Sequence, residues 1–292
     1  MPAPISSSAQ AARQRLADQL KEIREDAGLT GRELARRAGW SAGVSKVSRI
    51  EHGHRPISAE DLRTWCEACE VSPERAAELL SELRAVANMW ATHHQLNRGG
   101  LKARQEKIRD KYWRVKLHRV YQTKYIPGLL QTRALTEHYL TTARLEQHLD
   151  LDDVAQAVDS RMERQRCLNR PDARWLFVIE EDVLWYRPAS DAVHIEQLRY
   201  LMEAMGRPTV SLGVIPRGIA RNGVNPEESF TMSILPDSVV VAVELVSGTL
   251  TLTQPYETSM YAEAWTRLFD LAVHGERVRE LIRAPLAALE HT

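Results

Sequence analysis

Thr30-Gly31-Arg32-Glu33-Leu34-Ala35-Arg36-Arg37-Ala38-Gly39, followed after a short gap by Ser45-Lys46-Val47-Ser48-Arg49-Ile50-Glu51-His52-Gly53, is the stretch on which the reading of this chain turns. Thr30 and Glu33 stand at the S/T-x-x-E spacing, in which a hydroxyl and a carboxylate each accept an N–H that the first turn of a helix leaves free. Leu34, Ala35 and Ala38 supply a short apolar face, and Gly39 stops the helix after about two turns. Ser41 to Ser45 offer N-caps for the next helix; Val47 and Ile50 face inward, Gly53 closes it, and Lys46, Ser48, Arg49 and Glu51 occupy the other faces.

Helical grammar continues on both sides. Leu16, Leu20, Ile23 and Ala27 recur at helical spacing within residues 9–27 and end at Gly28. Downstream, Ser58 with Asp61 starts a helix with Leu62, Trp65, Cys66 and Cys69 inward, and Ser72-Pro73-Glu74 starts another that runs to about Asn88. Two short helices joined by a glycine-containing turn make a helix-turn-helix, whose second helix fits the major groove of DNA. On that reading Ser45, Lys46, Ser48 and Arg49 are outward candidates for bases and nearby phosphates. Thr30, Arg32, Arg37 and Arg55 suit phosphate.

The formal net charge of zero conceals strong segregation. Residues 91–124 hold 10 Lys/Arg against 2 Asp/Glu, whereas residues 125–292 hold 16 against 24. A basic N-terminal side is the part able to meet phosphate. The start of the chain has no basic residue before an apolar run, and no later segment offers an uninterrupted apolar stretch of about 18 residues. A cytoplasmic protein is expected, and three irregularly spaced cysteines agree with a reducing compartment.

Beyond residue 120 the pattern changes. Helices are expected over about 129–145, 151–168, 190–205 and 256–289, and β-branched or aromatic runs over 174–186, 209–215, 230–235, 239–246 and 249–253 predict strands. Short turns at Pro236-Asp237 and Ser247-Gly248 favour antiparallel pairing. The expected fold class is α+β overall. It comprises a tail at 1–8, an all-α phage-repressor-like helix-turn-helix domain at 9–72, a helical basic connector at 73–118, and an α+β domain with an antiparallel sheet at 119–292. The edge of the 230–253 hairpins is expected to be open to another chain's strand.

The residues Thr30-Gly31-Arg32-Glu33-Leu34-Ala35, Lys46 to Gly53 and Arg55-Pro56-Ile57-Ser58 resemble the XRE-type helix-turn-helix family over about 9–72. Tyr125-Ile126-Pro127-Gly128-Leu129-Leu130-Gln131-Thr132, the Arg161 to Leu168 segment and Pro226-Glu227-Glu228-Ser229-Phe230-Thr231 resemble the domain that follows such a reader in many actinomycete regulators, over roughly 105–288. The resemblance implies a transcriptional regulator, antitoxin-like, paired with a small protein encoded next door. Gly31 stands where the family usually has a DNA-contacting glutamine, and the interval from Gly39 to Glu51 is about two residues longer than the common pattern. A homodimer on double-stranded DNA is expected, since one helix-turn-helix covers only a half-site.

Other chemistries find little support. Cys66-x-x-Cys69 with His52 and His54 has the right elements for zinc, but cysteines on the inner side of an apolar helix behave as small hydrophobes. No nucleophile elbow, metalloprotease, P-loop or dinucleotide-binding pattern is present, so neither an enzyme nor a cofactor is expected. Trp175, Phe177, Trp185, Tyr186, Trp265 and Phe269 read as core more readily than as the walls of a small-molecule effector pocket, the alternative function of the second domain.

Overall fold

The computed structural model describes residues 7–88 and 90–290. Two compact units divide the chain after residue 90. Of the tail expected at 1–8, residues 1–6 lie outside the described residues, and Ser7 and Ser8 open the first helix.

The first unit is helical: α1 (Ser7–Asp26), α2 (Gly31–Arg37), α3 (Gly43–Glu51), α4 (Ala59–Ala68) and α5 (Pro73–Asn88). Leu16, Leu20, Leu34, Val47, Ile50, Leu62, Trp65 and Leu79 meet in one core, so each helix contributes the stripe its spacing set out. The local punctuation acts as read. Thr30 N–H donates to Glu33 Oε2 at 2.8 Å while Glu33 N–H donates to Thr30 Oγ1 at 3.3 Å, and Asp61 N–H donates to Ser58 Oγ at 3.0 Å. Gly28 and Gly39 adopt φ of 67° and 66°, the left-handed turn in which an L side chain is strained.

The second unit, residues 91–292, is α+β. Its elements follow in the order β1 (Trp90–Thr92, at the division), α6 (His93–Leu96), α7 (Gly100–Tyr112), β2 (Leu117–Gln122), α8 (Arg133–Glu146), α9 (Val154–Arg164), β3 (Arg174–Glu180), α10 (Asp182–Trp185), α11 (Asp191–Ala204), β4 (Val210–Ile215), β5 (Phe230–Ile234), β6 (Val239–Leu245), β7 (Gly248–Leu252), α12 (Pro255–Leu271) and α13 (Glu276–Glu290). Seven strands lie in the order β1-β7-β6-β5-β2-β3-β4.

The β5-β6-β7 meander and the β2–β5 pair are antiparallel, as the short turns require. By contrast β2–β3 and β3–β4 are parallel, because helices α8, α9 and α11 occupy the intervals between those strands and return the chain to the same end. The turn signals after residue 230 carried no information about that half. Expected strand 174–186 stops at Glu180, with a helical turn at Asp182–Trp185, and expected helix 256–289 is two helices.

Residues 100–122, expected mostly within a connector, are integral to the second unit. Leu101 is buried with Leu140, Val154, Ala157 and Val158. Asp153 accepts the N–H groups of Leu101 (3.1 Å) and Lys102 (2.9 Å), capping α7 from 51–52 residues away in sequence. The 230–253 hairpins do not leave the open edge expected of them, since β1 lies beside β7. A Cβ on Gly248 would run into the backbone of Ala91 and Thr92, so glycine permits this approach.

One face of the sheet carries Trp175, Phe177, Ile179, Leu212 and Val214 into the main core with Leu135, Leu198 and Ile282. His118 is buried beside them, its Nδ1 3.1 Å from Ser233 Oγ and its ring against Tyr112 and Trp175. Burial, with smaller contributions from Lys111 and Arg164, pushes the imidazole down to about 3. The unfolded chain takes up that proton near pH 6.5 and the folded chain refuses it until about 3, so stability falls as pH drops through this window. We expect the urea midpoint to decline between about pH 7 and 5, and the decline to be shallower in His118→Gln. Equal slopes for parent and variant would show that other groups control the acid limb.

Candidate nucleic-acid interface

The second helix of the motif, α3, is held from both ends by charges that come from other helices. Near its C-terminus Glu51 accepts from Arg24 of α1, at 2.5 Å to Nε and 3.2 Å to Nη2, and both side chains are about nine-tenths buried. The same guanidinium donates to the Leu29 carbonyl at 2.8 Å, tying in the α1–α2 loop. The Glu51 hydrogen bond holds the Arg24 pKa above its ordinary value despite burial.

At the other end Lys46 turns inward. Its Nζ lies 2.5 Å from Asp61 of α4 and 4.0 Å from the centre of the Trp40 ring, which itself leans on Trp65. Lys46 was expected to face outward. The pairing with Asp61 and the aromatic face draws it in, leaving only 12% of its side chain exposed. Arg37 is similarly engaged, donating to the Ala68 carbonyl at 3.2 Å and lying 3.6 Å from Glu70, although it stays exposed.

The remaining outer face of α3 presents Val44, Ser45, Ser48 and Arg49, all exposed. Arg49 Nε donates to the Ser45 carbonyl at 3.2 Å, a single contact that folds the side chain back along the helix. Ala42 rather than a serine precedes the helix and makes no side-chain cap, so Ser45 falls in the first turn. Thr30 and Arg32 lie exposed at the start of α2, and Arg55 is exposed just past α3. Among the described residues Arg32 and Arg55 have no side-chain partner.

Val44 was not among the sequence candidates. It is 48% exposed on a helix whose inner stripe is Val47 and Ile50, and an apolar residue off the stripe is the signal that marks it. A Cβ on Gly31 would lie 3.5 Å from Val47 and 3.8 Å from Val44, so position 31 sits against α3 with little there to reach outward. Cys66 on the inner side of α4 and Cys69 at its C-cap are buried, and burial raises both thiols, Cys69 to about 11.

Residues 115–284 match the model of a family described as a domain of unknown function (DUF5753). The chain belongs to that family. Residues 15–79, from within α1 to within α5, match a helix-turn-helix domain, and the protein is accordingly a DNA-binding regulator. No match was found among curated proteins or among solved structures. No helix among the described residues is long and apolar enough to cross a membrane.

The Arg24–Glu51 pair generates a stability prediction. Arg24→Ala leaves a buried carboxylate without its partner and should cost about 3 kcal/mol, whereas removing both charges together, Arg24→Met with Glu51→Met, should cost clearly less. Chemical denaturation of the single and double variants checks it. Equal losses would mean that packing, not charge, holds α3 there.

Proposed function

We propose that this protein is a sequence-specific transcriptional regulator, antitoxin-like rather than an enzyme, which binds DNA as a homodimer and whose second unit receives a small partner protein. The observation that carries the DNA half is the outer face of α3. With Lys46 and Glu51 committed to neighbouring helices, Val44, Ser45, Ser48 and Arg49 are the side chains left to meet base edges.

Arg49 exchanges one contact to its own helix for a forked contact to guanine, and Val44 offers methyl groups to the thymine methyl. Thr30, Arg32 and Arg55 take phosphates and fix the docking register. Lys46 acts through position, by keeping α3 at its angle to α4. Two copies then read two half-sites.

Two outcomes follow for DNA. Arg49→Ala should reduce discrimination between operator and scrambled duplex by about 1–3 kcal/mol. Arg55→Ala should weaken both duplexes alike. Titrations on the two duplexes at one salt concentration separate these, and equal losses for both variants on both duplexes would remove the assignment.

The partner half draws support from an aromatic surface at the carboxyl ends of β2 and β3. Tyr125, Trp185 and Tyr186 are 47%, 36% and 51% exposed, and Tyr125 rests edge-on against Tyr139 and Tyr186. Exposed aromatic clusters of this kind are where protein interfaces concentrate their binding energy. Tagged full-length protein should recover a small protein from its native cell, and that protein should change operator affinity. Tyr125→Ser with Tyr186→Ser should abolish recovery and leave DNA binding unchanged. If a small-molecule fraction changes DNA binding and no protein is recovered, the partner reading fails.

A further inference from the structure

Arg161 and Arg164 lie one turn apart in the last turn of α9 and point toward the same place in the second unit. Arg164 is 5% exposed. The side-chain hydrogen bonds that both guanidiniums make go to neutral amides alone. Arg161 donates to Gln105 Oε1 (3.3 Å) and Gln131 Oε1 (2.9 Å), and Arg164 donates to Gln105 Oε1 (2.9 Å). Arg164 Nε is buried with no hydrogen-bond partner.

Among the described residues, no carboxylate is ion-paired to either guanidinium. The charged side chains nearest in effect are Arg104 and Glu244, which pair with each other at 3.4 Å. Three guanidiniums and one carboxylate leave two positive charges unbalanced. Burial, reinforced by the neighbouring Arg164, holds Arg161 down to about 9, still cationic at neutral pH.

Structural roles account for part of this. The α9 C-terminus favours cations, and the Tyr112 ring lies 5.1 Å from the Arg164 guanidinium carbon. Neither supplies a counter-charge, and like charges three residues apart on a helix repel. The two guanidiniums also converge on a position without a side chain: a Cβ on Gly128 would stand 3.7 Å from Arg164 Nη2 and 3.8 Å from Arg161 Nη1. Gly128 belongs to the Tyr125–Thr132 segment, whose Gln131 is held by its own bond to the Ile126 carbonyl.

We propose that Arg161 and Arg164 form an anion site in the second unit, built for the phosphate group of a small molecule. A phosphate dianion balances the two charges. Its oxygens match the forked donors of paired arginines, and Arg164 Nε is a donor in waiting. The site is independent of the DNA-binding reading and of the partner surface.

Inorganic phosphate is the probe. Calorimetric titration of the full chain, at constant ionic strength set with chloride, should show phosphate binding at this site, reduced at least tenfold in Arg161→Gln and in Arg164→Gln. Because the first unit also carries basic side chains, Arg32→Ala with Arg55→Ala serves as control and should retain that binding. Thermal unfolding gives a second readout. Without phosphate, Arg161→Gln removes an unbalanced, half-buried charge and should melt no lower than the parent; with phosphate the order should reverse. Absence of phosphate binding by the parent, binding retained in both arginine variants, or a lower melting temperature of Arg161→Gln in both buffers would overturn the proposal. Acetate binding as tightly as phosphate would overturn the assignment to a dianion.

Discussion

A charge taken out of water has to be met by an opposite charge or by well-placed dipoles, and this requirement organises both units. In the first unit the answer is Arg24 with Glu51. The pair joins α1, the α1–α2 loop and the end of α3, and so converts a nine-residue helix with little burial of its own into a fixed element. Lys46 with Asp61 does the same from the other end. A helix that presents polar side chains to a ligand cannot also depend on those side chains for its footing. The division of labour along α3 is therefore physical: Val47 and Ile50 pack, Lys46 and Glu51 anchor, and Val44, Ser45, Ser48 and Arg49 remain available.

The second unit solves its charge problem differently. Its parallel strands β2, β3 and β4 carry apolar residues on the face covered by α8, α11 and α13. Where the last turn of α9 meets α7 the contact is polar, with Gln105, Gln131, Arg161 and Arg164 arranged around one another. Amides orient guanidiniums without neutralising them. An interior whose guanidiniums bond only to neutral amides and stay electrically unbalanced differs in kind from the ion-paired joints of the first unit.

Much of the helix-turn-helix was legible because its signals are local. A hydroxyl and a carboxylate at the right spacing, a glycine in the left-handed region and a stripe of Leu, Val and Ile each act within a few residues. Strands β4 to β7 were legible for the same reason, as β-branched runs between turn residues. What escaped depends on distant partners. β2 contains His118, Arg119 and Gln122 and shows no apolar alternation; it is a strand because β3 and β5 flank it. Lys46 reads as a surface residue until Trp40 and Asp61 are brought beside it. Likewise, the half-buried Arg161 and buried Arg164 look like a solvated helix end when only α9 is considered.

The pairing of β2 has a consequence for synthesis. Leu117 stands opposite Ile234, so β2, an interior strand of the second unit's sheet, emerges from the ribosome more than a hundred residues before its antiparallel neighbour exists. The helices around α3 have no such debt, since every residue of their core lies within the first 83. Domains fold as units in the order in which they are made. The nascent chain thus holds a finished DNA-reading module while the second unit is still an incomplete sheet, and the interval between the two is set by translation speed.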